Sequence, residues 1–173
     1  MRWPLTFALV LTALPLWAAE WDVPARTGAI AETLTRAAPG DTLLLRPGTY
    51  FETVVLDKPV TLDGQGHATL DGGGHGSVVT VTEPDVVVQG LTIVGSGSDH
   101  ETIDSGVQLT AGATGAIVRN NVLLGNLYGV DIHGARDARV ADNRIEGRQD
   151  RRMNDRGNGI YVWNAPGAVV DGN

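Results

Sequence analysis

Two columns of side chains carry the chemistry that this 173-residue chain could perform. Three short segments, Gly106-Val107-Gln108-Leu109, Gly129-Val130-Asp131-Ile132 and Gly159-Ile160-Tyr161-Val162, alternate apolar and polar residues. With the apolar members inward, the intervening residues face out. Gln108, Asp131 and Tyr161 then form one outward column, and Thr110, His133 and Trp163 form the next. Residues 95–105, with Asp99, His100, Glu101 and Asp104, make an acidic wall beside these columns. Residues 147–158 make a basic wall from Arg148, Arg151, Arg152 and Arg156, with Asp150, Met153 and Asp155 among them. The short turn 124–128, ending at Tyr128, lies between the walls.

Two chemistries suit such a groove. Imidazole and thioether are donors that copper accepts, which makes His100, His133 and Met153, with Asp131, a candidate metal set. Alternatively, Tyr161 and Trp163 could stack on sugar rings while Asp99, Asp104 and Asp155 bond hydroxyls. Gln108, Tyr128, Arg152 and Arg156 would line the same groove. Glycoside hydrolysis needs two carboxylates at a set separation. Asp99, Asp104, Asp131 and Asp155 are candidates, but spacing singles out no pair, so no catalytic residue is assigned. His67 and His75 lie in glycine-rich turns and are expected in solvent.

The elements that position these residues follow from a repeat. A Val-x-x-Asn-x-apolar pattern appears as Val118, Asn121, Leu123 and again as Val140, Asn143, Ile145, and restarts at Val170, Asn173. An earlier copy, Val88, Leu91, Ile93, lacks the Asn. Strands this short, broken by Gly, Asn and Asp corners, bury an apolar face only by stacking on copies of themselves. The expected fold is therefore all-β, a single-stranded parallel β-helix of the pectate-lyase-like kind. An Asn ladder at one corner should set its register. Ile93 to Val107 spans 14 residues, Leu123 to Val130 seven and Ile145 to Ile160 fifteen, so the surplus falls at one corner, in alternate coils. Insertions in solenoids gather on the binding face. Ile30, Leu34 and Ala37 recur at helical spacing before Pro39-Gly40, which predicts a short helix capping the N-terminal end of the stack. Residues 42–46, 53–56 and 60–62 read as the first strands.

Composition bounds the function. A formal charge of −7 argues against nucleic acid, and the absence of Cys excludes disulfides, thiolate metal sites and Cys nucleophiles. Arg2, the apolar run 5–17 and Ala18-Ala19 read as a secretory signal over residues 1–19, cut after Ala18 or Ala19. The β-helix domain then occupies 20–173, in a periplasm. The chain stops part-way through a repeat, which reads as a C-terminally truncated solenoid.

The opening LTRAAPGDTLLLRPGTYFETVVLDKPVTLDGQGHATLDGGG, the repeats AIVRNNVLLGNLYGVDIHGA and ARVADNRIEG, and above all RRMNDRGNGIYVWNAPGAVVDGN resemble the NosD family. These are periplasmic accessory proteins for maturation of the copper enzyme nitrous-oxide reductase. The resemblance covers nearly all of residues 20–173 and implies a right-handed β-helix of the carbohydrate-binding and sugar-hydrolysis type. It also implies copper binding, with an ABC transporter, a copper chaperone and the reductase as partners. Gly74-His75-Gly76 is similar to a polygalacturonase motif, but the NTD and paired-Asp motifs of those enzymes are missing. The expectation is a non-catalytic scaffold that holds a client or a copper ion in transit. The alternative is a polysaccharide lyase, hydrolase or epimerase using the same groove.

Overall fold

A computed structural model describes residues 18–149 and 152–173. Every strand pairing is parallel, and the strands form three stacks that the chain visits in turn. The first stack holds Glu20–Val23, Thr42–Leu45, the starts of Thr61–Asp71 and Val87–Val94, then Ile117–Arg119, Arg139–Ala141 and Val169–Asp171. The second holds Gly48–Phe51, the ends of those two long strands, Val122–Leu124 and Arg144–Glu146. The third holds Val54–Leu56, Val79–Val81, Ser105–Leu109, Tyr128–His133 and Ile160–Trp163. This is the expected parallel β-helix.

Like residues lie above like. Val88, Val118, Val140 and Val170 are in register on the first stack, and Leu70, Ile93, Leu123 and Ile145 on the second. Leu62, Leu70, Ile93, Leu123 and Ile132 are fully buried, as β-branched and aliphatic side chains on facing pleats should be. The Asn ladder is present as well. Asn143 Oδ1 accepts from the Asn121 backbone N–H and side-chain amide, each at 3.0 Å, and Asn173 Oδ1 accepts from the same two groups of Asn143. The ladder residues themselves do not take the left-handed turn conformation. It falls one residue earlier, at Gly90, Asn120, Asp142 and Gly172, with φ between 54° and 66°.

The N-terminal cap is larger than the sequence pattern suggests. The helix spans Ala29–Arg36 and buries Ala29, Ile30, Thr33 and Leu34. Lys58 Nζ donates to the Leu34 and Ala37 carbonyls, satisfying acceptors that the helix end leaves free. A strand at Glu20–Val23 adds a further rung in front of the first full coil. Gly48–Phe51, which lies outside the segments expected as the first strands, is also a strand. Its Tyr50 is buried, with the hydroxyl donating to the Val23 and Arg46 carbonyls.

Candidate functional site

The two long segments leave the same corner, between the second and third stacks, and the Arg148 side chain joins them. Arg148 Nε donates to the Gly125 carbonyl, Nη1 to Ser98 Oγ, and Nη2 to the Ser96 and Gly97 carbonyls, at 2.6–3.0 Å. Arg148 therefore bridges from its own wall, over the short turn, to the opposite one. Asn126 supports the same corner. Its Oδ1 accepts from the Ser96 N–H and its Nδ2 donates to the Ile93 carbonyl, which repeats at this corner what Asn121 does for Leu91 and Val88. Neither role is assigned by the repeat. Gly125-Asn126 does mirror Asn120-Asn121, and that is the signal that could have found the second amide. Arg148→Ala should detach the two walls from one another. Limited proteolysis should then cut within 95–104 several-fold faster than in the wild type, while the Tm of the β-helix changes little.

The acidic wall uses its own carboxylates to brace its turn. Asp104 is buried; its Oδ2 accepts from the Asp99 N–H and its Oδ1 from Thr102 Oγ1. Asp99 Oδ1 accepts from the Glu101 N–H. Two of the three carboxylates expected to bond sugar hydroxyls, Asp99 and Asp104, thus serve the loop itself. Between them Ile103 sits at φ 55°, a left-handed conformation that a β-branched residue adopts only when its surroundings impose it. The Ile103 carbonyl is held by Ser105 Oγ, and the Thr102 carbonyl by Gln108 Nε2.

Asp131 departs most from expectation. It occupies the outward column, paired with Gln108 on one side and Tyr161 on the other, yet it is fully buried. Oδ2 accepts from Gln108 Nε2 at 3.3 Å, while Oδ1 has no hydrogen-bond partner. The nearest ion-pair partner is His133, whose Nδ1 lies 3.9 Å from Oδ1. Burial raises the Asp131 pKa, against the opposing effects of Gln108 and His133. Aromatic rings frame the carboxyl. His133 stacks on Trp163 with centroids 4.7 Å apart, while Tyr128 meets His100 and Tyr161 edge-on at 5.8 and 6.0 Å. His100 Nδ1 lies 3.1 Å from the Tyr128 hydroxyl. Burial, followed by the nearby Tyr161 and Asp131 charges, raises the Tyr128 pKa.

The four expected copper ligands are therefore split. Asp131 and His133 adjoin, and His100 reaches them through the Tyr128–Tyr161 rings, but Met153 is 83% exposed on a short 3-10 turn. Among the described residues, no three His, Asp or Glu side chains converge as a metal centre. Arg152, Asp155 and Arg156 are exposed, with Arg156 donating to the Gln149 carbonyl, and Asp150 and Arg151 lie outside the described residues.

A buried carboxylate with one oxygen unpartnered has a measurable signature. The unfolded chain releases the proton at the ordinary carboxylate pKa, so between that value and the raised one the folded state holds more protons. Stability then falls as pH rises through this window. Asp131→Asn removes the charge. Urea unfolding should show the variant gaining on the wild type as pH rises through this window. A difference that stays constant with pH would mean that Oδ1 is already satisfied.

No protein-family profile matches the chain. Two curated relatives do. It is 38% identical over 148 residues to the "Probable ABC transporter binding protein NosD" of Pseudomonas aeruginosa, covering 80% of this chain and 35% of that one. It is 36% identical over 126 residues to the protein of the same name from Stutzerimonas stutzeri, covering 73% of this chain and 29% of that one. The chain thus spans about a third of the length of these relatives. With a parallel β-helix whose coils carry their insertions at one corner, and with these identities across most of its length, this chain belongs to the NosD family.

Proposed function

We propose that this chain is the part of an exported accessory protein that receives cargo at its walled groove while the protein works with an ABC transporter. The cargo is the nitrous-oxide reductase client, or copper on its way from a periplasmic chaperone to that enzyme's copper centre. One observation carries this reading: the Arg148 clasp fixes two walls on one side of a rigid stack, over a strip of aromatic rings around a buried carboxyl. Aromatic rings that are apolar in body and polar at the edge are the side chains that recognition surfaces favour. Copper enters as substrate. Asp131 and His133 supply two donors, and an incomplete donor set suits transit, because saturating coordination would oppose release.

The test is made in a denitrifying host. Deleting the gene should leave the reductase without its full copper content, and the gene carrying His133→Ala and Trp163→Ala together should restore it only in part. A reductase that matures with all its copper in the deletion strain would end this proposal. Full restoration by the double variant would move cargo binding away from the groove.

A further inference from the structure

Asp41 is a buried carboxylate at the N-terminal cap, only 4% exposed, and two of its three hydrogen bonds go to the start of the described chain. Oδ1 accepts from the Ala19 backbone N–H at 2.8 Å, and Oδ2 accepts from Trp21 Nε1 at 2.8 Å and from the Ala38 N–H at 2.9 Å. These bonds hold the Asp41 pKa below the usual carboxylate range, Trp21 contributing most. The Ala19 carbonyl accepts in turn from the Thr42 N–H at 2.8 Å, which places Ala19 in register ahead of the first strand. Ala18, Ala19 and Glu20 are exposed. Asp41 is thus an anion aimed at the backbone nitrogen of Ala19.

Sequence alone leaves two cleavage positions open, after Ala18 and after Ala19. Of the segment that would be removed, residues 1–17 lie outside the described residues. The geometry separates the two. A cut after Ala19 removes both Ala19 bonds, stripping one partner from Asp41 and the rung to Thr42. A cut after Ala18 keeps both and changes the donor on Asp41 from a neutral amide to a cation. We propose that the chain is processed between Ala18 and Ala19, and that the new α-ammonium of Ala19 is held by Asp41, so that removal of the leader completes the N-terminal cap.

The chemistry is hydrolysis by the exporting cell's signal endopeptidase. Water adds across the Ala18–Ala19 peptide bond, leaving a carboxylate on Ala18 and an amine on Ala19 that takes up a proton. An α-amino group has a pKa near 7.7–8.0, so it is mostly charged at neutral pH even without help, and an adjoining carboxylate favours the charged form further. Charge-assisted hydrogen bonds are roughly twice as strong as neutral ones. The exposure of Ala19 keeps part of the ammonium's hydration, which limits the cost of bringing it against Asp41. Of the cations near this end, Arg36 lies over the Trp21 ring at 5.2 Å and Lys58 donates to the Leu34 and Ala37 carbonyls, which leaves Asp41 to the terminus.

Two measurements test this. The intact mass of the chain recovered from the periplasm should correspond to a start at Ala19; a start at Glu20, or an uncut chain, overturns the proposal. Chains beginning at Ala19 and at Ala18 should then be compared by thermal unfolding, since the extra residue restores a neutral amide at Ala19 and moves the charge outward. The Ala19 chain should melt several degrees higher, and Asp41→Asn should abolish that gap. Equal melting temperatures would overturn the ion pair, as would a gap that survives Asp41→Asn. If Asp41→Asn fails to fold, the Ala19 and Ala18 chains still decide the matter through the salt dependence of their gap. A charge-based gap shrinks with added salt, and one indifferent to salt counts against the pair.

Discussion

Replacing Asn143 by Ala should lower the unfolding free energy by about 3–5 kcal/mol, because the change orphans several buried groups at a cost of roughly 1–3 kcal/mol each. Asn143 is 3% exposed and sits in the middle of the ladder. Its Oδ1 accepts from the Asn121 backbone N–H, which loses its partner in the variant. Its Nδ2 donates to the Val118 and Ala141 carbonyls and to Asn173 Oδ1, all at 2.8–3.0 Å. Alanine supplies none of these and is too small to seal the space. Asn143→Asp is a sharper variant, since it keeps the acceptor that serves Asn121 but loses the donors and buries a charge. It should be at least as damaging. Urea denaturation checks both, and a loss below about 1 kcal/mol for Asn143→Ala would mean that water replaces the side chain.

The same corner shows why the fold was legible in the sequence. Each coil needs an apolar residue on each stack and an amide where the chain turns, and both demands recur at fixed spacing because every coil meets the same neighbour. Val118 and Val140, Asn121 and Asn143, Leu123 and Ile145 are therefore visible as repeats before any coordinates exist. Elements that occur once leave no such mark. Gly48–Phe51 carries a single inward side chain, Tyr50, behind a Pro-Gly pair, and Glu20–Val23 has no counterpart with which to be compared.

The candidate site was legible only as a place. Surplus residues in alternate coils located the walls on one side, and alternation located the columns. What alternation cannot say is whether an outward residue is also covered from above. Asp131 is outward by parity and buried in fact, because Gln108, His133 and Tyr161 close over it from neighbouring positions. Nor can composition distinguish a carboxylate that awaits a ligand from one that ties its own loop, as Asp104 does. Arg148 is similar: one arginine among several in the sequence, it is the clasp because three carbonyls and a hydroxyl happen to converge there.

Gly129→Ala should cost about 1–3 kcal/mol, the range for forcing extra volume into a close-packed interior. The glycines at 106, 129 and 159 lie at the starts of three of the five strands of the third stack, and the repeat alone cannot say whether flexibility or space selects them. Space decides at Gly129. A Cβ there would lie 2.3 Å from the Gly159 carbonyl oxygen and 2.6 Å from Ile145 Cγ2. That same oxygen accepts the Val130 N–H at 3.0 Å, so a methyl group cannot be admitted without spreading a rung of the ladder. Gly106 is similarly confined, by Leu123, Asn126 and the Gly129 oxygen at 2.8–2.9 Å. Gly159 is different: its Cβ would meet only Ile145, at an ordinary 3.7 Å. Gly159→Ala should therefore be close to neutral, although it occupies the same place in the sequence pattern. If the two substitutions proved equally costly, the glycines would be required for backbone freedom in the unfolded-to-folded transition. If only Gly129→Ala destabilises, close approach of successive coils is what keeps this column free of side chains, and Asp131 owes its depth to the same tight stacking two residues further on.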